Sequence, residues 1–125
     1  MYGKINEEIL SQLKSIAGAN NVITSPEEVC VYANDEYVCR QEGCQPEAVV
    51  RPGKVEEVSA ILKMASEHRL PVTPRGGGTG LAGGCVPIYG GVVLSLQRMN
   101  RFLELDRKNQ VAVVEAGLTL GEFIT

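Results

Sequence analysis

The chain has 125 residues, 44% hydrophobic and 22% charged, with a net charge of −3. That length supports a single core, and the acidic balance excludes the basic face that nucleic acid or an anionic membrane surface requires. The charged start, Met1 to Glu8, lacks the apolar stretch of a signal peptide, and no apolar run nears the ~20 residues of a membrane span.

Cys30, Cys39, Cys44 and Cys85 follow no zinc or redox spacing. Reduced thiols in the cytoplasm are therefore expected, and no metal site is assigned.

Taken in order, Ile5, Ile9, Leu13, Ile16 and Ala17 share one helical face, with Gly18 as the stop. Ser25-Pro26-Glu27-Glu28 has the form of a capping box opening a short helix to about Ala33. An irregular cysteine-containing segment follows, ending near Gly43. Glu47 to Pro52 reads as a strand, and Gly53-Lys54 as a turn. Val55, Val58, Ile61, Leu62 and Ala65 mark an amphipathic helix. Its first turn carries Glu56 and Glu57 and its last His68 and Arg69, as the helix dipole favours. Leu70 to Pro74 is extended, its prolines suiting a strand end or an edge. Strand, helix and strand at this spacing form a parallel βαβ unit.

Pro74-Arg75-Gly76-Gly77-Gly78-Thr79-Gly80-Leu81-Ala82-Gly83-Gly84-Cys85 leaves the second of these strands. Eight of the 14 glycines lie between Gly76 and Gly91. Glycine costs conformational entropy, so such a cluster indicates a backbone that turns tightly and approaches a ligand closely. Consecutive backbone amides in such a loop form a nest for an anion, and the carboxyl end of a parallel strand is where open α/β sheets bind ligands.

Three nucleotide loops fit this composition to different degrees. A Walker A loop needs a lysine, and none lies between Lys63 and Lys108. Gly78-Thr79-Gly80-Leu81-Ala82-Gly83 matches the dinucleotide fingerprint, with Glu104 in the place of its distal acid. The fingerprint must open a helix, and Gly84-Cys85-Val86-Pro87-Ile88-Tyr89-Gly90-Gly91 cannot form one. The third is a long loop that wraps a pyrophosphate and runs into another strand. Its bland alternative is a ligand-free connection between strands.

Gly91 to Leu96 reads as a buried strand. Phe102 to Asp106 and Gln110 to Glu115 form a hairpin about Arg107-Lys108-Asn109. Thr119-Leu120-Gly121-Glu122 opens a further helix by a capping box. Only Phe123 to Thr125 follow, so the chain is expected to be a fragment of a larger domain.

Ala48 to Pro52, Val55 to Val58, Pro74 to Gly84, Leu96 to Asn100 and Val114 to Gly117 together resemble the FAD-linked oxidases of the vanillyl-alcohol-oxidase type. The likeness is to the first half of the FAD-binding domain, and runs from about Tyr32 to Thr125. Within the family the chain is most similar to glycolate oxidase flavoprotein subunits and D-lactate or D-2-hydroxyacid dehydrogenases. The resemblance implies an α+β fold, here truncated: a βαβ unit plus a small mixed sheet with flanking helices. Residues 1–45 are then an N-terminal helical segment and 46–125 a partial FAD-binding domain.

The resemblance also implies a cofactor site. The pyrophosphate loop maps to Gly76, Gly77, Gly78, Thr79 and Gly80, with Gly84 and Cys85, and Pro52 falls near the adenine end. Arg75 either braces the loop or touches phosphate. Some relatives attach flavin through a histidine in this loop; the single histidine here, His68, ends a helix, so FAD is expected to be noncovalent. The implied activity is hydride transfer from a 2-hydroxy acid such as glycolate or D-lactate to FAD. The family's catalytic residues lie beyond this stretch, so none is named, and the fragment alone is expected to be inactive. A noncatalytic nucleotide-binding or scaffold module is the alternative. Apolar surface left by truncation would favour a homo-oligomer.

Overall fold

The computed structural model describes residues 2–33, 45–79 and 85–124. The cysteine-containing segment with Cys39 and Cys44, and the loop positions Gly80 and Gly84, lie outside the described residues.

Helix α1 (Glu7–Ala17) starts where the Asn6 side chain accepts the Ile9 amide at 2.9 Å, and stops at Gly18. It buries Ile9, Leu13 and Ala17, three of the five positions its periodicity singles out. Strand β1 (Val22–Ile23) follows. It is two residues long, too short for alternation to reveal in the sequence. Helix α2 (Pro26–Val29) is shorter than expected, giving way to a 3-10 turn over Cys30–Tyr32. The Ser25 side chain accepts no main-chain amide of the helix. Its hydroxyl donates instead to the Glu27 carboxylate at 2.7 Å, a closer partner than the amide a capping box would use.

Strand β2 (Ala48–Val50), helix α3 (Val55–His68) and strand β3 (Val72–Arg75) form the βαβ sequence. Strand β4 (Val92–Ser95) comes next, then the hairpin of β5 (Phe102–Asp106) and β6 (Val111–Val114), and the turn of helix α4 (Leu120–Ile124).

The main sheet has the order β1-β2-β4-β3, with β1 antiparallel and the other three parallel. Thus β2 and β3 run parallel, as the βαβ pattern requires, but β4 lies between them. The physical reason is burial. All four residues of β4 are buried, and such a run belongs in the centre of a parallel sheet covered on both faces. Strand β3 contains Pro74, which cannot donate to a ladder and suits the edge.

The sheet's alternation sorts two clusters. Val50, Val92 and Leu94 pack with Ile9, Leu13, Ile61, Met64 and Ala65 from α1 and α3. Val49 and Val93 face the other way, toward Val29, Ile23 and Tyr32. One core therefore joins residues on both sides of position 45, and the N-terminal segment is packed into the sheet. Among the described residues no helix is long and apolar enough to cross a membrane.

The hairpin pairs in register from Asp106↔Val111 to Phe102↔Val114, with an irregularity between Phe102 and Glu104. The Asp106 carboxylate accepts the Asn109 amide at 3.1 Å and its side chain at 2.8 Å, which fixes the turn. These bonds hold the Asp106 carboxyl below its ordinary range.

Candidate functional site

Parallel pairing puts the carboxyl ends of β2, β4 and β3 on one rim. Arg75, the last residue of β3, is level with Ser95, the last of β4. The glycine loop starts there. Gly76, Gly77 and Thr79 are exposed. A side-chain carbon at Gly76 would meet nothing within 4 Å, and one at Gly77 nothing nearer than 3.9 Å. Gly78 has φ +74, the left-handed region that glycine occupies without strain. Among the described residues no main-chain acceptor takes the amides of Gly76, Gly77, Gly78 or Thr79. Unbonded amides with open space before them suit an anionic group.

After the loop, residues 85–91 make turns, with Ile88 donating to Val86 O and Gly90 to Pro87 O, both at 2.9 Å. No helix occurs over those residues, so the dinucleotide fingerprint lacks the element it depends on.

Arg75 turns back beneath the loop. Its guanidinium lies over the Tyr32 ring, 5.4 Å from the centroid, and its Nη1 donates to Cys85 Sγ at 3.6 Å. The same group fills the space a side chain at Gly78 would need, with Cζ only 2.6 Å from the position of a Cβ. Tyr32 is fixed in turn. Its hydroxyl donates to Gln97 Oε1 at 3.3 Å, and that oxygen also accepts the hydroxyl of buried Ser95 at 3.1 Å.

Pro52 is fully buried just past β2. Beside it, the Gly53 amide, just ahead of the α3 N-cap Lys54, donates to the Glu57 carboxylate at 3.3 Å. Arg98, just past the end of neighbouring β4, donates to Arg51 O at 2.6 Å. Arg51 itself donates to Asn20 O at 2.9 Å. The residues assigned from sequence thus fall on one rim: Pro52 past β2, and Arg75 to Thr79 with Cys85 past β3.

Sequence reasoning missed Tyr32, Ser95 and Gln97 as partners of the loop. Tyr32 is 43 positions from Arg75, and no spacing rule links them. It also missed the clamp at the hairpin base. Glu115 is nearly buried and accepts from the Arg101 amide at 2.9 Å, from Nε at 2.8 Å and from Nη2 at 3.2 Å. The side-chain bonds from Arg101 hold its carboxyl below the usual carboxylate range, against the opposing effect of burial. The signal available was the opposite charges at facing ends of the two strands.

Comparison with known proteins agrees with this geometry. A family model described as an FAD binding domain matches residues 46–125. The glycolate oxidase subunit GlcD of Bacillus subtilis is 40% identical over 114 residues, covering 91% of this chain and 24% of that protein. A D-lactate dehydrogenase of Anaerostipes hadrus is 36% identical over 121 residues, covering 97% of this chain and 25% of its own length. Among solved structures, 4-ethylphenol oxidase from Gulosibacter chungangensis superposes with a TM-score of 0.83 at 29% identity, covering 98% of this chain and 25% of that one. The chain therefore spans about a quarter of the length of these relatives, and its fold is that of the vanillyl-alcohol-oxidase type.

Proposed function

Because the chain belongs to the FAD-binding domain family, we propose that its loop from Gly76 to Thr79 wraps the FAD pyrophosphate in a flavoprotein that oxidises a 2-hydroxy acid. The observation that carries this reading is the open face of the loop. Among the described residues its amides from Gly76 to Thr79 find no main-chain acceptor, and Gly76 and Gly77 leave room for a ligand against the backbone. FAD supplies the hydride acceptor when bound. This chain's residues bind and orient it.

Each assigned residue has a role in this reading. Gly76 and Gly77 let phosphate oxygens reach main-chain N–H groups, and Gly78 supplies the turn that aims them. Thr79 adds a hydroxyl and an amide. Pro52 shapes the rim toward the adenine end, and Cys85 closes the loop's far side as a small packing residue. Gly80 and Gly84 belong to the same wrap by sequence. The single histidine ends α3, so the flavin is held without a histidyl bond. The FAD-binding part begins at residue 46, and the protein works in the cytoplasm. The substrate class, glycolate or D-lactate among 2-hydroxy acids, follows from the names of the relatives. Residues that act on the substrate lie outside this stretch, so the stretch alone does not turn over.

The test is to express the complete gene product, record its spectrum, and mix it anaerobically with glycolate, D-lactate or D-2-hydroxyglutarate. The expected result is a yellow protein whose flavin band bleaches with one of them. A colourless protein favours a noncatalytic module. A yellow protein that none of these acids bleaches rejects the substrate class.

A further inference from the structure

The glycine loop is not held by its own sequence alone. Beneath it lies a chain of contacts that begins in the N-terminal segment, outside the stretch matched by the family model. Ser95 and Tyr32 both donate to Gln97 Oε1. Tyr32 offers its ring face to the Arg75 guanidinium at 5.4 Å. Arg75 contacts Cys85 Sγ at 3.6 Å and fills the space beside Gly78. The loop thus closes over Arg75 from both ends: Gly78 on its near limb and Cys85 on its far limb.

We infer that Arg75 is a positioning residue, a wedge seated on Tyr32 that sets the shape of the FAD-binding loop from beneath rather than reading the phosphates by charge. This rests on the cofactor reading above. Three features favour it. A planar guanidinium stacks on an aromatic face while its edge serves as a donor, which the compact ammonium of lysine cannot do. Gly78 has no Cβ, so the guanidinium can lie against its backbone; any other residue would displace it. Tyr32 is placed by Gln97 and Ser95, at and just past the end of β4, so the wedge is referenced to a fully buried inner strand of the sheet.

The consequence is a division of labour. The glycine amides meet the anion, and the tyrosine and arginine preorganise them. Preorganisation improves affinity by cutting the cost of ordering a loop on binding. It also gives the N-terminal segment a part in cofactor binding through Tyr32.

The test compares Tyr32→Leu, Tyr32→Phe, Arg75→Lys and Arg75→Gln, with the double variant Tyr32→Leu/Arg75→Lys, in the complete gene product. Two readouts are taken: loop exchange, read in the flavin-free protein as hydrogen exchange at the loop's base, the Leu96 amide that donates to Arg75 O at 2.9 Å, and the FAD dissociation constant at low and high salt. Melting of each flavin-free variant confirms that the fold survives.

The wedge predicts that Arg75→Lys, although it keeps the charge, behaves like Arg75→Gln. Each speeds loop exchange and weakens FAD about tenfold, an effect of the size expected for losing a stacked, hydrogen-bonded cation. Tyr32→Leu does the same without touching FAD, Tyr32→Phe, which keeps the ring but loses the bond to Gln97, falls between wild type and Tyr32→Leu, and the double variant is no worse than either single one. The wedge is overturned if Arg75→Lys keeps full affinity while Arg75→Gln loses it together with the salt dependence, because Arg75 then acts by charge on phosphate. It is also overturned if loop exchange ignores Tyr32→Leu. Should the wild-type protein take up no FAD while loop exchange still follows Tyr32 and Arg75, the cofactor reading fails and the wedge stands.

Discussion

Gly78 has φ +74 and the Arg75 guanidinium where a side chain would be. Gly78→Ala is expected to cost about 1–2 kcal/mol from backbone strain, because the arginine tip can swing aside. Gly117 has no such relief. A side-chain carbon there would meet the main-chain oxygens of Leu96 and Met99, and its own amide donates to Met99 O at 2.8 Å. Gly117→Ala is expected to cost about 3 kcal/mol, the upper end of overpacking, since backbone cannot step away. Urea denaturation of the two variants checks the order, and equal costs would refute the distinction. Glu115 gives a pH signature. Its carboxyl is held below the usual range by Arg101, so its stabilisation is complete above the ordinary carboxylate pKa. That stabilisation is lost as pH falls through the depressed value. Glu115→Gln should therefore melt lower than wild type at neutral pH, with the gap closing in acid. A gap that stays constant with pH would exclude the ion pair as its cause. At this scale the glycine cluster was legible in the sequence as a tightly turning backbone, and Gly78, Gly90 and Gly91 take the positive φ that glycine adopts without strain. Tyr32, Gln97 and Glu115 were not legible, because their partners are joined only by the fold.

At the scale of elements, α1 and α3 were readable from their apolar spacing, which marks Ile9, Leu13 and Ala17 of α1 and Ile61 and Ala65 of α3 among the buried residues, while Val55 and Leu62 stay exposed. Leu13 is fully buried in the core shared with Ile61 of α3 and Leu94 of β4. Leu13→Ala should cost about 2–5 kcal/mol in denaturant unfolding. Leu103→Ala on the exposed hairpin should stay within about 0.5 kcal/mol. Similar losses at both sites would mean that α1 is not docked as described. The strands β2 to β6 were also readable, from apolar runs bounded by turn residues. The sheet order was not, since a strand that enters between two others leaves no local mark. Two-residue β1 escaped for a related reason: tertiary contacts define it, with too few residues to set up a period, whereas α2 was readable from Ser25-Pro26 and differs only in its length. The Ser25 cap failed because the hydroxyl found a neighbouring carboxylate, a competition that sequence spacing cannot rank.

The whole molecule has one well-buried half and one open half. Around the main sheet the core is closed. On the hairpin and α4, Phe102, Leu103, Leu105, Val111, Val113 and Phe123 are all exposed, with Phe102 and Phe123 stacked at 5.9 Å. Apolar surface on this scale favours association. The 125-residue chain by itself is expected to pair with a second copy through this hairpin, its sedimentation mass rising with concentration. Leu103→Lys together with Val113→Lys should keep it monomeric. A monomer at every concentration before any substitution would count against that surface being adhesive. The assignment of the cofactor loop concerns the rim where β3 releases its glycines, close to the start of α4, with Thr119 4.0 Å from the place of a Cβ at Gly77. It is tested most directly by the FAD dissociation constant of the complete gene product carrying Gly76→Val. Among the described residues a Cβ at Gly76 meets nothing within 4 Å, so the flavin-free protein should unfold as wild type does. If the loop wraps the pyrophosphate, that side chain occupies the cofactor's place, and affinity should fall at least about tenfold, equivalent to about 1.4 kcal/mol. Unchanged FAD affinity in a normally folded Gly76→Val protein would contradict the assignment of this loop to the cofactor.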